Sequence, residues 1–385
     1  MSGSSPSHRA LLPAGLRDTL PPEAELEAIS VARIMDCFAA HGYQRVETPL
    51  LEFEESLFTG AGGATAEHTF RLMDPQSQRM MGVRADITPQ IGRLAASRLA
   101  AAPRPLRLAY SGQCLRVRGT QLQPERQFSQ AGIELIGADT PQADAEIILA
   151  AAEALAETGL HDISFDLTFP HLTLSLLEGA DSRRLTELTH ALDRKDSLAV
   201  ADAGGPMQSL LLQLLAASGP VEQAIPALLA IALPEIARGH AIRMAETVAA
   251  IRQANPALRL TADPVEFRGY QYHTGICMTV FATGRQAELG RGGRYLSGEA
   301  EPASGISLYP DSIVRIAPPP PLRPRLYLEY GTPPETARAY RARSFATVPG
   351  LQPVADPMQE ARRLRCTHLC RDGAVVPVFK DPSNQ

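Results

Sequence analysis

Seven residues of this 385-residue chain combine types and spacings that could grip a small zwitterion: Asp86, Thr88, Arg116, Gln130, Glu134, Arg268 and Tyr272. An amino acid needs an anion for its ammonium, a cation for its carboxylate, and donors or acceptors for its side chain. Asp86, Glu134, Arg116 and Arg268 supply the charges, and a guanidinium can meet a carboxylate with two parallel N–H donors. Gln130 and Glu134 are four residues apart, an even spacing that places both on one face of a strand. Taken singly, each residue has an ordinary alternative: Arg116 as a strand-face ion pair, Glu134 as a solvated carboxylate, Tyr272 as half-buried filler.

The elements that must position these groups can be read from periodicity and punctuation. Val31, Ile34, Met35 and Phe38 form an i, i+3, i+4, i+7 stripe on a helix that Pro21 and Pro22 open and Gly42 ends. A short strand follows, interrupted at Thr48-Pro49. A hairpin turning at Asp74-Pro75 comes next, its second strand ending near Asp86 and Thr88 and leading into a helix from about Pro89. Two further strands, one carrying Arg116 and the other Gln130 and Glu134, flank the polar loop from Gly119 to Arg126. Thr140-Pro141 caps an apolar helix. Residues 170–262 read as an all-helical insertion, after which strand patterning returns with Arg268 and Tyr272 at its start. Successive strands joined without helices favour an α+β fold with a mostly antiparallel sheet flanked by helices. The run Pro318 to Pro321 reads as a linker. The expected organisation is a disordered stretch over 1–12, a core formed by 13–169 and 263–317, the insertion at 170–262, and a small α/β module at 322–385 read as a strand, two helices and a hairpin turning at Asp372-Gly373.

Composition narrows the function classes. Hydrophobic residues make up 44% and charged residues 21%, enough apolar material for a sizeable core. The formal net charge of -5 supplies no global basic field, so nucleic acid is not an expected partner. No apolar run is long enough to span a membrane, and five scattered cysteines with no apolar leader point to a reduced, cytoplasmic protein. Cys366, His368 and Cys370 lack a second ligand pair at zinc-site spacing, so no metal is expected. The glycine-rich stretch from Gly290 to Gly293 lacks the following helix that a phosphate loop needs. Arginines 338, 341, 343, 362, 363, 365 and 371 make the tail basic, read here as a solvated face.

Four stretches together resemble the class II histidyl-tRNA synthetases over about residues 10–316. VETPLLE at 46–52 resembles motif 1, an element of that family's dimer interface, so a self-dimer is implied. The run from Leu115 to Gly137 resembles motif 2. FRGYQYHTG at 267–275 resembles the histidine-specific motif, and GGRY at 292–295 matches the tetrapeptide that follows it. The resemblance implies a class II synthetase-like fold and carries the family's histidine-binding residues onto Asp86 (usually Glu), Thr88, Arg116, Gln130, Glu134, Arg268 and Tyr272. The second tyrosine of the family's pair is His273 here.

The ATP-binding half departs from the pattern. The motif 2 glutamate is Arg118, the loop arginine falls at Pro124, and Asp311 and Ser312 stand where motif 3 has Glu-Arg. Each arginine lost from a triphosphate clamp removes charge-assisted hydrogen bonds of roughly 1.5–3 kcal/mol. A register shift of three could bring Arg315 in as a substitute. The family has a non-catalytic branch with this profile, the regulatory subunits of ATP phosphoribosyltransferase. The resemblance then implies no catalytic residue and no cofactor, with histidine as effector. The implied partner is a short-form catalytic subunit in a hetero-octamer, at the first step of histidine biosynthesis. Two alternatives stay open from sequence: a divergent synthetase-like enzyme that forms an aminoacyl adenylate, and an RNA-binding sensor on the synthetase fold.

Overall fold

The computed structural model describes residues 11–119, 124–179, 181–266, 272–284, 287–298 and 300–379. The chain forms two compact units, Met1–Pro319 and Pro320–Gln385. Strands of the first unit are β1 (Gln44–Arg45), β2 (Leu51–Phe53), β3 (Arg71–Met73), β4 (Met80–Val83), β5 (Leu106–Leu115), β6 (Gln127–Ile136), β7 (Ile163–Thr168), β8 (Gly219–Pro220), β9 (Arg259–Asp263), β10 (His273–Ala282), β11 (Glu288–Ser297) and β12 (Glu301–Leu308). Those of the second are β13 (Arg325–Leu328), β14 (Ala346–Pro349), β15 (His368–Arg371) and β16 (Ala374–Pro377).

Nine strands form the main sheet in the order β1-β5-β6-β12-β11-β10-β7-β9-β8. Only β1 with β5 and β7 with β9 pair in parallel, so the sheet is mostly antiparallel and the α+β class holds. Alternation along β6 shows how the sheet divides its two faces. Ala131, Ile133 and Leu135 pack into the large core with Ile34 and Phe38 of helix Glu23–Ala40 and Ile147 and Ile148 of helix Pro141–Glu157. Gln130, Gly132 and Glu134 point to the other face. There Ile91 and Ala95 of helix Thr88–Ala96, with Ile87 just before it, join a second cluster with Leu108, Tyr110 and Tyr295. Thr140 caps helix Pro141–Glu157, its hydroxyl accepting from the Ala143 amide at 3.2 Å.

Three sequence expectations need correction. Asp86 and Thr88 do not end a strand: β4 stops at Val83, Asp86 lies in the connecting turn, and Thr88 is the first residue of helix Thr88–Ala96. Nor is 170–262 all helical, because β8 and the start of β9 fall inside it and extend the main sheet beyond β7. Short strands at a sheet margin carry too few residues to register against the Leu/Ala-rich helices around them. In the second unit, the parallel strand β14 beside β13 falls between the two expected helices, its first three residues half-buried, the last exposed, and no alternation among them. The tail's hairpin does turn at Asp372 and Gly373, both at positive φ (50° and 78°), as a two-residue type I′ turn requires.

Candidate functional site

On the sheet face opposite the large core lies a cavity of about 460 Å³, within the range of roughly 300–1,000 Å³ typical of small-molecule sites. Asp86, Thr88, Arg116, Gln130, Glu134 and Tyr272 all line it. Arg268 lies outside the described residues. The turn after β4, the end of β5, β6 and the entry to β10 thus deliver six groups to one space.

Glu134 sits at the buried end, 1% exposed. One carboxylate oxygen accepts from Thr88 Oγ1 at 2.9 Å and Tyr110 Oη at 3.1 Å, the other from Tyr295 Oη at 2.9 Å. A carboxylate offers about four acceptor positions, so one stays open on the oxygen facing Tyr295. Burial pushes Glu134 up to about 8, with Asp86 adding to the rise and the three hydroxyls opposing it. A buried carboxylate held in this way favours a ligand group that brings an N–H to it.

Gln130 organises the neighbouring part of the cavity. Its Nε2 donates to Asp86 Oδ1 at 2.8 Å and to Ser307 Oγ at 2.6 Å. Its Oε1 accepts the Ile87 amide at 2.9 Å and the Cys114 thiol at 3.2 Å. Since both amide hydrogens are committed, Ser307 receives one and can pass its own to Tyr110, 2.8 Å away, while Tyr110 donates to Glu134. The turn is fixed from its other side too, because Asp86 Oδ1 accepts the Thr88 amide at 3.0 Å.

Two close approaches make this network possible, and both need glycine. Gly132 lies between Tyr110 and Ser307 across β5, β6 and β12, and a Cβ there would come within 2.5 Å of the Tyr110 hydroxyl. Gly305 lies opposite Glu134, and its Cβ would fall 1.7 Å from a carboxylate oxygen. The glycines let two long side chains lie flat across a neighbouring strand.

Around the rest of the wall, the Arg116 guanidinium stands over the Phe128 ring at 4.2 Å, a cation–π placement that presents a charged fork to the cavity. Tyr272 stacks on His273 at 4.3 Å and meets Tyr295 edge-on at 6.0 Å. Burial holds His273 down to about 3, with Arg291 adding to the effect, so the ring is neutral. His171 Nε2 lies 2.8 Å from the His273 carbonyl, tying this wall to helix Pro170–Leu176.

The residues aligned with the synthetases' ATP clamp behave differently. Arg118 lines the cavity but is exposed. Asp311, Ser312 and Arg315 line a separate crevice of about 20 Å³ instead. There Asp311 accepts the Ser129 amide at 2.8 Å, and Arg315 pairs with Glu125 at 2.5 Å. The suggested substitution of Arg315 for a lost clamp arginine is therefore not seen.

Sequence reasoning missed Tyr110, Tyr295 and Ser307. Tyr295 alone had a signal, the GGRY stretch. Alternation sends its neighbour Arg294 to the opposite face, where it binds Asp144 at 2.7 Å and the Ala138 carbonyl at 3.0 Å.

Comparison with known proteins agrees with the geometry. A family model described as histidyl-tRNA synthetase matches residues 15–313. A Paramagnetospirillum magneticum protein named ATP phosphoribosyltransferase regulatory subunit is 51% identical over 374 residues, covering 97% of this chain and 99% of its own. A protein of the same name from Gluconobacter oxydans is 51% identical over 370 residues, covering 96% and 97%. Among solved structures, one described as an ATP phosphoribosyltransferase regulatory subunit/histidyl-tRNA synthetase from Bacillus halodurans C superposes with a TM-score of 0.79. It is 24% identical and covers 94% of this chain and 97% of its own. Histidyl-tRNA synthetase from Nostoc sp. PCC 7120 follows with a TM-score of 0.76 at 18% identity, covering 95% and 92%. These structural likenesses speak to the fold, which is that of the class II synthetases.

Proposed function

The chain belongs to the family of ATP phosphoribosyltransferase regulatory subunits, built on the histidyl-tRNA synthetase fold, and from that premise we propose that its cavity is the effector site for histidine. It is a regulatory rather than a catalytic subunit, acting in histidine biosynthesis through a catalytic partner. Within this reading the partner is a short-form catalytic subunit that depends on this chain for activity. The two assemble as a hetero-octamer around a synthetase-like dimer in the cytoplasm. Among the described residues no helix is long and apolar enough to cross a membrane.

One observation carries the effector assignment: six groups able to match the parts of an amino acid line a single cavity of suitable size. Asp86, held by Gln130, takes the ammonium, and Arg116 takes the carboxylate. Glu134 keeps one acceptor position for an imidazole N–H, with Tyr272 against the ring. Arg268 joins the site as a second cation for the carboxylate. Histidine shifts activity by binding one conformational state of the complex better than the other. The chemistry on ATP and phosphoribosyl pyrophosphate belongs to the partner, and no residue here need be catalytic.

Calorimetric titration of the purified chain with histidine, then with ATP and magnesium, tests this reading. Histidine should bind and ATP should give no signal, with no histidine-dependent ATP–pyrophosphate exchange. In the reconstituted complex, Glu134→Ala should abolish inhibition by histidine and leave assembly intact. Unchanged inhibition in that variant would show that the effector binds elsewhere.

A further inference from the structure

Away from this cavity, helix Glu23–Ala40 and helix Pro141–Glu157 bring together a thiol, an imidazole and a carboxylate. Cys37 and His41 are four residues apart, so they share one face of the first helix and its C-terminal end. Glu153 approaches from the second helix, its carboxylate 2.9 Å from His41 Nε2. The three potential ligand atoms lie within 4.8 Å of one another. We propose that Cys37, His41 and Glu153 form a binding site for one zinc ion, which joins the two helices packed behind the sheet.

The donor set selects the ion. Sulfur, imidazole nitrogen and a carboxylate oxygen together suit zinc, whereas calcium and magnesium prefer oxygen alone. With zinc–ligand bonds of about 2.0–2.3 Å, ligands of a tetrahedral site stand roughly 3.3–3.8 Å apart. The present spacing, 2.9 Å between His41 Nε2 and the Glu153 carboxylate and no more than 4.8 Å across the set, lies close to that arrangement. Three protein ligands leave a fourth position for water. An adjoining cavity of about 810 Å³, lined by His41 and Glu153 and also by His161 and Asp162, gives an ion and its water a way in.

The surroundings favour a cation as well. Cys37 is 7% exposed, and the carboxylates of Glu153 and Glu157 bear on its thiol. Without a metal the sulfur keeps its proton and His41 shares one with Glu153. Zinc would displace the thiol proton and take the imidazole lone pair, neutralising carboxylate charge that now bears on the thiol. Arg33, a turn earlier on the helix, donates instead to the Glu157 backbone carbonyl at 3.2 Å. The site escapes sequence inspection because its third ligand lies more than a hundred residues from the other two. The cysteine run the sequence does display, Cys366 to Cys370, brings no third ligand into such a cluster among the described residues.

Cobalt(II) titration of the full-length, reduced, metal-stripped protein tests the proposal. One equivalent should bind with a thiolate-to-cobalt charge-transfer band in the near ultraviolet, and zinc should bleach it. Cys37→Ser should remove the band, while Cys366→Ser with Cys370→Ser should leave it intact. Glu153→Gln, at an exposed position, should lower affinity for zinc by roughly tenfold or more. Circular dichroism and histidine titration of each variant establish that the fold is kept. If Cys37→Ser does not fold, Glu153→Gln decides the matter alone, and unchanged affinity there overturns the site. So does a wild-type protein without the band, or a band that follows the C-terminal cysteines.

Discussion

The buried end of the cavity is built on β6 and β12, and the crevice beside it from the chain just before β6 and just after β12 together with Phe128. At the buried end, Gln130 and Glu134 on β6 join Ser307 on β12 in a continuous run of hydrogen bonds. Ser129, the residue before Gln130, faces the other way, where its amide meets Asp311 and its hydroxyl meets Glu27. Burial raises Asp311 above the usual carboxylate range, with Glu27 adding to the effect, and Arg315 is taken up by Glu125. The buried end of the cavity keeps open acceptor capacity and room for a ligand. The crevice has Arg315 paired with Glu125, Asp311 bonded to the Ser129 amide, and about 20 Å³ of space. A charged site keeps a binding function only while its groups are held apart from each other. The first region meets that condition, and the second does not.

Gly305→Ala should break the first region most severely. The added carbon would need the space of a Glu134 carboxylate oxygen 1.7 Å away, and the displaced carboxylate would lose its hydroxyl partners. Loss of the charge-assisted hydrogen bond to the ligand, worth roughly 1.5–3 kcal/mol, together with a methyl group at a cavity-lining position, predicts a loss of histidine affinity of about a hundredfold or more. Overpacking should also cost about 1–3 kcal/mol of stability. Calorimetry and denaturant unfolding measure the two separately. Affinity within tenfold of wild type would mean that Glu134 does not touch the ligand.

Glu134→Gln comes next, because it keeps the shape and removes the charge. Histidine affinity should fall by about 10- to 100-fold, the worth of one charge-assisted hydrogen bond. The same residue predicts the pH dependence. Its carboxyl is raised to about 8 in the unliganded protein, so at pH 7 it is mostly protonated and must release a proton to accept one from the ligand. Affinity should therefore rise with pH up to about 8. Calorimetry at pH 7 in buffers of different ionisation enthalpy should show release of close to one proton. Stability has the opposite sign. Between the ordinary value of 4.5 and about 8 the native state binds more protons than the unfolded chain, so unliganded stability from this group falls as pH rises. Both dependences should vanish in Glu134→Gln.

A smaller effect belongs to Tyr295→Phe, which removes one of three donors to Glu134. A single neutral donor is worth about 1 kcal/mol, so histidine affinity should fall about three- to tenfold. Losing a hydrogen bond to the charged form should also move the pH midpoint of binding upward. An unchanged midpoint would mean that Tyr295 only packs against Tyr272.

What the sequence disclosed follows from which signals are local. Gln130 and Glu134 were readable because strand alternation is a property of consecutive residues. Thr140 and the Asp372-Gly373 turn were readable because caps and tight turns have their own side-chain chemistry. Tyr110, Ser307 and the need for glycine at 132 and 305 were not, since each depends on which strand lies alongside and in what register. Asp86 was found by type and misplaced by element: the hydrogen bonds that hold its turn come from Gln130, 44 residues away. The ATP clamp lay between these cases. Its missing side chains were visible in the alignment of motifs, but only the structure shows Arg315 paired and turned into the crevice.

Arg315→Ala carries the smallest expected effect and sharpens the comparison most. If the crevice has no ligand role, removing this arginine frees Glu125 and costs at most an exposed pair, about 0–1 kcal/mol of stability. Histidine affinity should stay within twofold, and ATP should remain silent in calorimetry. Arg118→Glu, which restores the synthetases' residue at that position, should also fail to produce pyrophosphate exchange. With Pro124, Asp311 and Ser312 unchanged, one regained acceptor provides no cation for a triphosphate. Exchange activity in Arg118→Glu would mean that the two regions still work together, and that the separation between them is one substitution deep.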